Sequence, residues 1–173
     1  TVGKVSGPKF CMKGGLGSTS IQGIEGIVVG SIVAVNAVGD VKDPNTREIL
    51  AGARHPKTGE WLDSCAFLTE HVNSSALYGT NTTIGAIAVN AKLTKAEAKK
   101  IAQLTHNALA RTIYPVHTMF DGDTIFVLGT GDKSYPVDYI GQLAVEAMEQ
   151  AIIIAIKSAD KLAGVESYES VRK

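Results

Sequence analysis

Ile84-Gly-Ala-Ile-Ala-Val89, followed closely by Thr94-Lys-Ala-Glu97, is the passage whose reading decides the fold. The first run is compact, apolar and β-branched at intervals, which reads as a buried strand. Thr94 and Glu97 have the spacing of a capping box, in which each side chain satisfies the other residue's backbone N–H. Behind that start signal, Ala98, Ile101, Ala102, Thr105, Ala108 and Leu109 recur at helical spacing and give one apolar face to about Thr112. Downstream, Pro115 ends the helical region and Val116–Phe120 reads as extended. Asp121-Gly122-Asp123 is a turn signal, Thr124–Leu128 is a strand, and Asp138 to about Leu162 is a second long helix. Upstream, Gly26–Ala37 is a Val/Ile-rich strand preceded by the glycine-rich passage Lys13-Gly-Gly-Leu-Gly-Ser18. Residues 39–59 form a long surface excursion with room for short strands. Strand, helix, strand, helix in this order implies a sheet covered by helices, an α+β chain read as one domain over residues 1–173.

The formal charge balances at 17 basic and 17 acidic residues, so no overall field argues for nucleic acid or an anionic membrane as partner. The most apolar run, Ala151–Ile156, is too short to span a bilayer and follows Glu146 and Glu149. Cys11 and Cys65 are far apart and in no metal-binding spacing, so two free thiols in a reducing, cytoplasmic setting are expected, with a single bridge left open. No leader pattern opens the sequence.

Several residue groups carry chemistry. Asn73–Thr80 is polar and runs into Asn81-Thr82-Thr83, directly ahead of the Ile84–Val89 strand. A Thr at a chain terminus becomes a nucleophile because its own α-amino group serves as base. A flexible loop ending at a buried strand suits backbone scission before Thr82; the same residues equally suit the plain opening of a strand. Asp121 and Asp123 flank a glycine, and two carboxylates that close titrate as a pair. They read as an acidic pair that holds an ammonium or tunes a base, or as a hairpin turn. Lys13 places a cation beside glycine N–H groups, and Asn36 ends a strand where its amide would serve a developing oxyanion. His117, flanked by Val116 and Met119, is a general-base candidate or a supporting histidine. His71 and His106 carry less weight.

Five segments together resemble a known family. Met12-Lys-Gly-Gly-Leu-Gly17, Val33–Asp40, Ile49-Leu-Ala-Gly-Ala-Arg54, Asn81-Thr-Thr-Ile-Gly85 and His117–Thr124 are similar, in family order, to the DmpA/NylC aminopeptidases. That family comprises L-aminopeptidase/D-esterases, β-aminopeptidases and nylon-oligomer hydrolases. The resemblance implies a self-cleaving N-terminal-nucleophile hydrolase with a four-layer α/β/β/α sandwich. It implies scission between Asn81 and Thr82, leaving 1–81 as the end of a larger subunit and 82–173 as the smaller one. Thr82 would be the nucleophile, with Asp121 and Asp123 positioning it, Asn36 in the oxyanion hole and Lys13 as its cationic neighbour. The substrate implied is a small peptide or a linear amide oligomer, with no metal or organic cofactor. The assembly implied is a homo-oligomer, often a tetramer. Family precursors also carry a region ahead of the Lys-Gly-Gly segment, so the sandwich is expected to be incomplete here, the rest belonging to the same precursor. An ornithine-acetyltransferase-like acyltransferase and a non-catalytic relative of the fold are the rival readings.

Overall fold

The computed structural model describes residues 1–55, 57–71 and 81–172. Seven strands and three α-helices follow in chain order among them: β1 Leu16–Gln22, β2 Val28–Ala34, β3 Asp40–Lys42, β4 Ile49–Ala51, α1 Ser64–Glu70, β5 Ile84–Val89, α2 Lys95–Thr112, β6 Ile113–Tyr114, β7 Thr124–Gly129 and α3 Val137–Lys157. Residues 73–80, read from sequence as the loop ahead of the scission point, lie outside the described residues.

One sheet has the order β1-β2-β5-β7 and a smaller one the order β4-β3-β6. β1 and β5 each pair antiparallel with β2, whereas β5 and β7 run parallel. A parallel partner needs a crossover, and α2 supplies it. Asp121-Gly122-Asp123 is therefore not a hairpin turn; it leads into a strand whose partner lies on the far side of a helix. The capping box at Thr94 forms as read, with the hydroxyl taking the Glu97 N–H and the Glu97 carboxylate taking the Thr94 N–H. The extended reading of Val116–Phe120 gives way to bends and a turn, because the strand forms earlier, at Ile113–Tyr114.

Helices α2 and α3 pack side by side on one face of the larger sheet, α3 over β1 and β2, α2 over β7. Val29, Val33, Ile87 and Val89 point into this layer against Ile101, Leu109, Met148, Ile152 and Ile156, all fully or nearly fully buried. α3 is long and apolar enough to cross a membrane by length and composition, yet its apolar residues form this core. Its approach to β1 depends on glycine. A Cβ on Gly17 would lie 2.0 Å from the Ala151 carbonyl oxygen, and one on Gly15 would lie 2.1 Å from that of Ala155.

The opposite face of the same sheet is also apolar. Leu16, Ile32, Ile84, Phe126 and Leu128 are between 47% and 64% exposed there. Alternate positions along β2 and β5 are thus apolar on both sides, the pattern of a sheet covered on both faces. Among the described residues, helices cover one face of this sheet and the other face stays open.

The Gly17 contact generates a test. Gly17→Ala pushes a methyl into the α3 backbone, and overpacking of this kind costs about 1–3 kcal/mol. A lowered urea midpoint at unchanged m value is the expected result, and an unchanged midpoint would contradict the close approach.

Candidate functional site

The site forms just beyond one end of the neighbouring strands β2, β5 and β7, and ladder register places its members. β2 pairs with β5 as far as Ala34 opposite Ile84. Continuing that ladder two residues brings Asn36 opposite Thr82, and the Thr82 N–H donates to the Asn36 carbonyl at 2.8 Å. On the other flank, β5 and β7 pair Ile84 with Thr124, and the bridge between Asn81 and Asp121 keeps the same offset of 40 residues. The Gly122 N–H accordingly donates to the Asn81 carbonyl at 2.9 Å, and the Thr124 N–H to that of Thr83 at 3.0 Å. Thr82 is therefore held from both sides by backbone.

The Thr82 hydroxyl lies 2.7 Å from the Asn81 carbonyl oxygen, to which it donates. That carbonyl thus receives the Thr82 hydroxyl and the Gly122 N–H together, which polarises it. Gly122 is required by space, since a Cβ there would sit 2.8 Å from Thr82 Oγ1. The intervening glycine of Asp-Gly-Asp is what lets the hydroxyl and the neighbouring strand meet.

Each of the two carboxylates has its own donors. Asp121 Oδ1 accepts the Val38 N–H at 3.3 Å, and its Oδ2 accepts the Thr118 N–H at 3.0 Å and hydroxyl at 2.8 Å. Asp123 Oδ1 accepts the Thr83 N–H at 2.9 Å, and its Oδ2 lies 2.9 Å from His117 Nδ1. Asp121 ties the segment beyond Asn36 to the β7 end, and Asp123 ties down the residue after Thr82.

A buried cation completes the site. Lys4 is only 6% exposed, and its ammonium donates to Asn36 Oδ1 at 2.8 Å and to the Asn36 carbonyl at 3.4 Å. Burial lowers its pKa, while Cys11 and Asp121 act in the opposite sense. Its backbone is set by the Lys4 N–H bond to the Val38 carbonyl and by Gly3, whose φ of 72° and contact with the Ala53 nitrogen leave no room for a Cβ. By occupying Asn36 Oδ1, Lys4 turns the NH2 end of that amide away from itself.

Thr82, Asn36, Asp121 and Asp123 are thus brought together. Lys13 is half-buried with its N–H bonded to the Glu166 carbonyl, and Lys4 is a cation held on Asn36. Sequence reasoning missed Lys4. Its one signal was a lone charge inside Val2-Gly3-Lys4-Val5, a run too short to reveal burial. Cys11 and Cys65 are free thiols.

The profile described as peptidase family S58 matches residues 6–170. An uncharacterised aminopeptidase of Mycobacterium leprae is 33% identical over 91% of this chain and 48% of its own length. A 6-aminohexanoate-oligomer endohydrolase of Kocuria sp. is 32% identical over 44% of this chain and 25% of its own. Among solved structures, the L-aminopeptidase D-Ala-esterase/amidase of Ochrobactrum anthropi, described as a variant of the Ntn hydrolase fold, superposes with a TM-score of 0.62. It has 15% identity and covers 99% of this chain and 52% of that one. The chain spans about half the length of the M. leprae relative.

The buried ammonium carries a pH signature. A lysine whose folded pKa lies below its ordinary 10.5 holds fewer protons folded than unfolded between those two values. Stability contributed at this position therefore rises with pH through that window and levels off above it. The stability difference between wild type and Lys4→Met, read by urea denaturation from pH 7 upward, should shift in favour of wild type as the solution becomes alkaline. A flat difference would show that burial does not strain this charge.

Proposed function

The chain belongs to peptidase family S58, and from that premise we propose that it is the catalytic part of a self-processing amide hydrolase with Thr82 as nucleophile. The observation that carries the reading is the pair of contacts on the Asn81 carbonyl, from the Thr82 hydroxyl at 2.7 Å and the Gly122 N–H at 2.9 Å. In the uncut chain, Thr82 Oγ bonds to the Asn81 carbonyl carbon while the Gly122 N–H holds the oxygen as it gains charge. The C–N bond then breaks, the nitrogen takes up the proton given up by the hydroxyl, and an ester joins Asn81 to Thr82 Oγ. Water hydrolyses that ester to a carboxylate on Asn81 and the restored hydroxyl of Thr82, which now carries a free α-amine.

In the mature site the amine remains beside the Asn36 carbonyl, which already accepts from that nitrogen. It takes the hydroxyl proton as Oγ attacks a substrate amide, the leaving amine departs with a proton, and water releases the acyl group. Asn36 NH2, oriented by Lys4 on Oδ1, is the proposed donor to the tetrahedral oxyanion. One such donor is worth roughly 3–4 kcal/mol of barrier. Lys4 takes the cationic role that sequence analysis gave to Lys13. Asp121 and Asp123 fix the two backbones that bracket Thr82.

Small peptides and linear amide oligomers are the proposed substrates, in line with the names of the aminopeptidase and oligomer-hydrolase relatives. The proposed enzyme is a cytoplasmic homo-oligomer. The rest of the same precursor supplies the sheet that covers Leu16, Ile32, Ile84 and Phe126.

Intact mass and N-terminal sequencing of the complete gene product test this directly. Wild type is expected to show a second terminus beginning at Thr82, and Thr82→Ala to remain one polypeptide without amidase activity. Scission after residue 81 in that variant would remove Thr82 from the role. Gly122→Ala, which intrudes on Oγ, should mature about 10²-fold more slowly; wild-type maturation would show that the close approach is dispensable.

A further inference from the structure

We infer that His117 is a positioning residue for this site, acting through Asp123 on the peptide that joins Thr82 to Thr83. The inference rests on the reading of Thr82 as the nucleophile.

Asp123 has a side chain only 4% exposed, and a desolvated carboxylate must be satisfied by donors. Each of its oxygens has its own partner: Oδ1 accepts the Thr83 N–H, and Oδ2 accepts from His117 Nδ1, both at 2.9 Å. The carboxylate therefore transmits the placement of the His117 ring to the backbone immediately after the nucleophile. The next residue, Thr118, makes the equivalent bonds to Asp121 through its N–H and hydroxyl. One dipeptide thus clamps both acids of Asp-Gly-Asp.

Several features separate this role from simple packing. The His117 side chain is 39% exposed, so it is no core filler. Its backbone has a φ of 55°, a left-handed conformation uncommon outside glycine, which histidine, like asparagine and aspartate, adopts more readily than other side chains. Strain of this kind persists where its surroundings enforce it. The ring is backed edge-on by His106 of α2, with centroids 4.9 Å apart. Burial, and then the neighbouring His117, lower the pKa of His106 below its ordinary value, while Asp123 acts in the opposite sense.

The left-handed backbone also dictates the test. Asparagine and glycine both accept this conformation, but only asparagine carries an amide nitrogen near the position of imidazole Nδ1. In the complete gene product, His117→Gly should slow maturation and lower kcat by about 10- to 100-fold, the cost of losing a hydrogen bond to a buried carboxylate, with KM little changed. His117→Asn should restore most of both. Amide hydrogen exchange at Thr83, read by NMR in the Thr82→Ala background, should accelerate in His117→Gly and return towards the parent rate in His117→Asn. Exchange at Thr83 in His117→Gly equal to the parent, or His117→Asn no better than His117→Gly, overturns the inference. Because exchange does not depend on chemistry at residue 82, activity surviving Thr82→Ala would sink the nucleophile reading alone.

Discussion

Ladder register at the start of β5 is the constraint on which the rest of the molecule depends. Strand β5 lies inside the sheet, so its first residues have neighbours on both flanks. One residue of slip would turn each side chain to the opposite face. Slip is opposed by the buried layer itself: Ile87 and Val89 must meet the helices, and Gly85 must leave room for the Met148 side chain. The hydrophobic core therefore sets the position of Thr82 without touching it. With the register fixed, Asn36 arrives from β2 and Asp121-Gly122-Asp123 from β7 by backbone geometry alone.

Polar groups around that point are arranged so that each desolvated charge has donors or acceptors of its own. Lys4 is buried but spends its ammonium on the Asn36 side chain and carbonyl. Asp121 holds Val38 and Thr118, and Asp123 holds Thr83 and His117. A buried charge left without partners would cost several kcal/mol, so the bonds act as alignment devices as well as stabilisers. Asp40, away from the site, follows the same rule. It is fully buried and takes the Ala53 N–H together with the N–H and hydroxyl of Ser64, anchoring the start of α1 to β3. Desolvation nevertheless raises its pKa, which those bonds counteract.

What could be read from the sequence follows from how local each signal is. Strands β5 and β7 and helices α2 and α3 announce themselves through periodicity and, for α2, through the capping box. β1 does not, because Gly17, Ser18, Thr19 and Ser20 look like a polar glycine-rich passage. Gly17 is there for the α3 backbone, a long-range reason that no local window contains. Helix α1 is too short to show a period, and its start rests on Asp63 accepting the Cys65 and Ala66 N–H groups. Within the site, Asn36 and the acidic pair were visible as residues of the right type at strand ends. Burial of Lys4 was invisible, since it arises from packing of the first residues against the segments after β2 and after β4. Composition left the acidic pair divided between hairpin and site, and the parallel pairing of β7 with β5 removes the hairpin.

The path of the chain through its sheets has a mechanical consequence for a backbone opened before Thr82. β1 and β2 belong to the first piece, β5 and β7 to the second, yet the β2–β5 ladder is the middle seam of one sheet. The smaller sheet is divided likewise, with β3 and β4 from one piece and β6 from the other. Helix α3 of the second piece lies over β1 of the first. The two polypeptides would stay interlocked after the cut, unable to separate without dismantling both sheets. Unfolding would then release two molecules instead of one, and the resistance of the cut protein to heat would rise with its concentration.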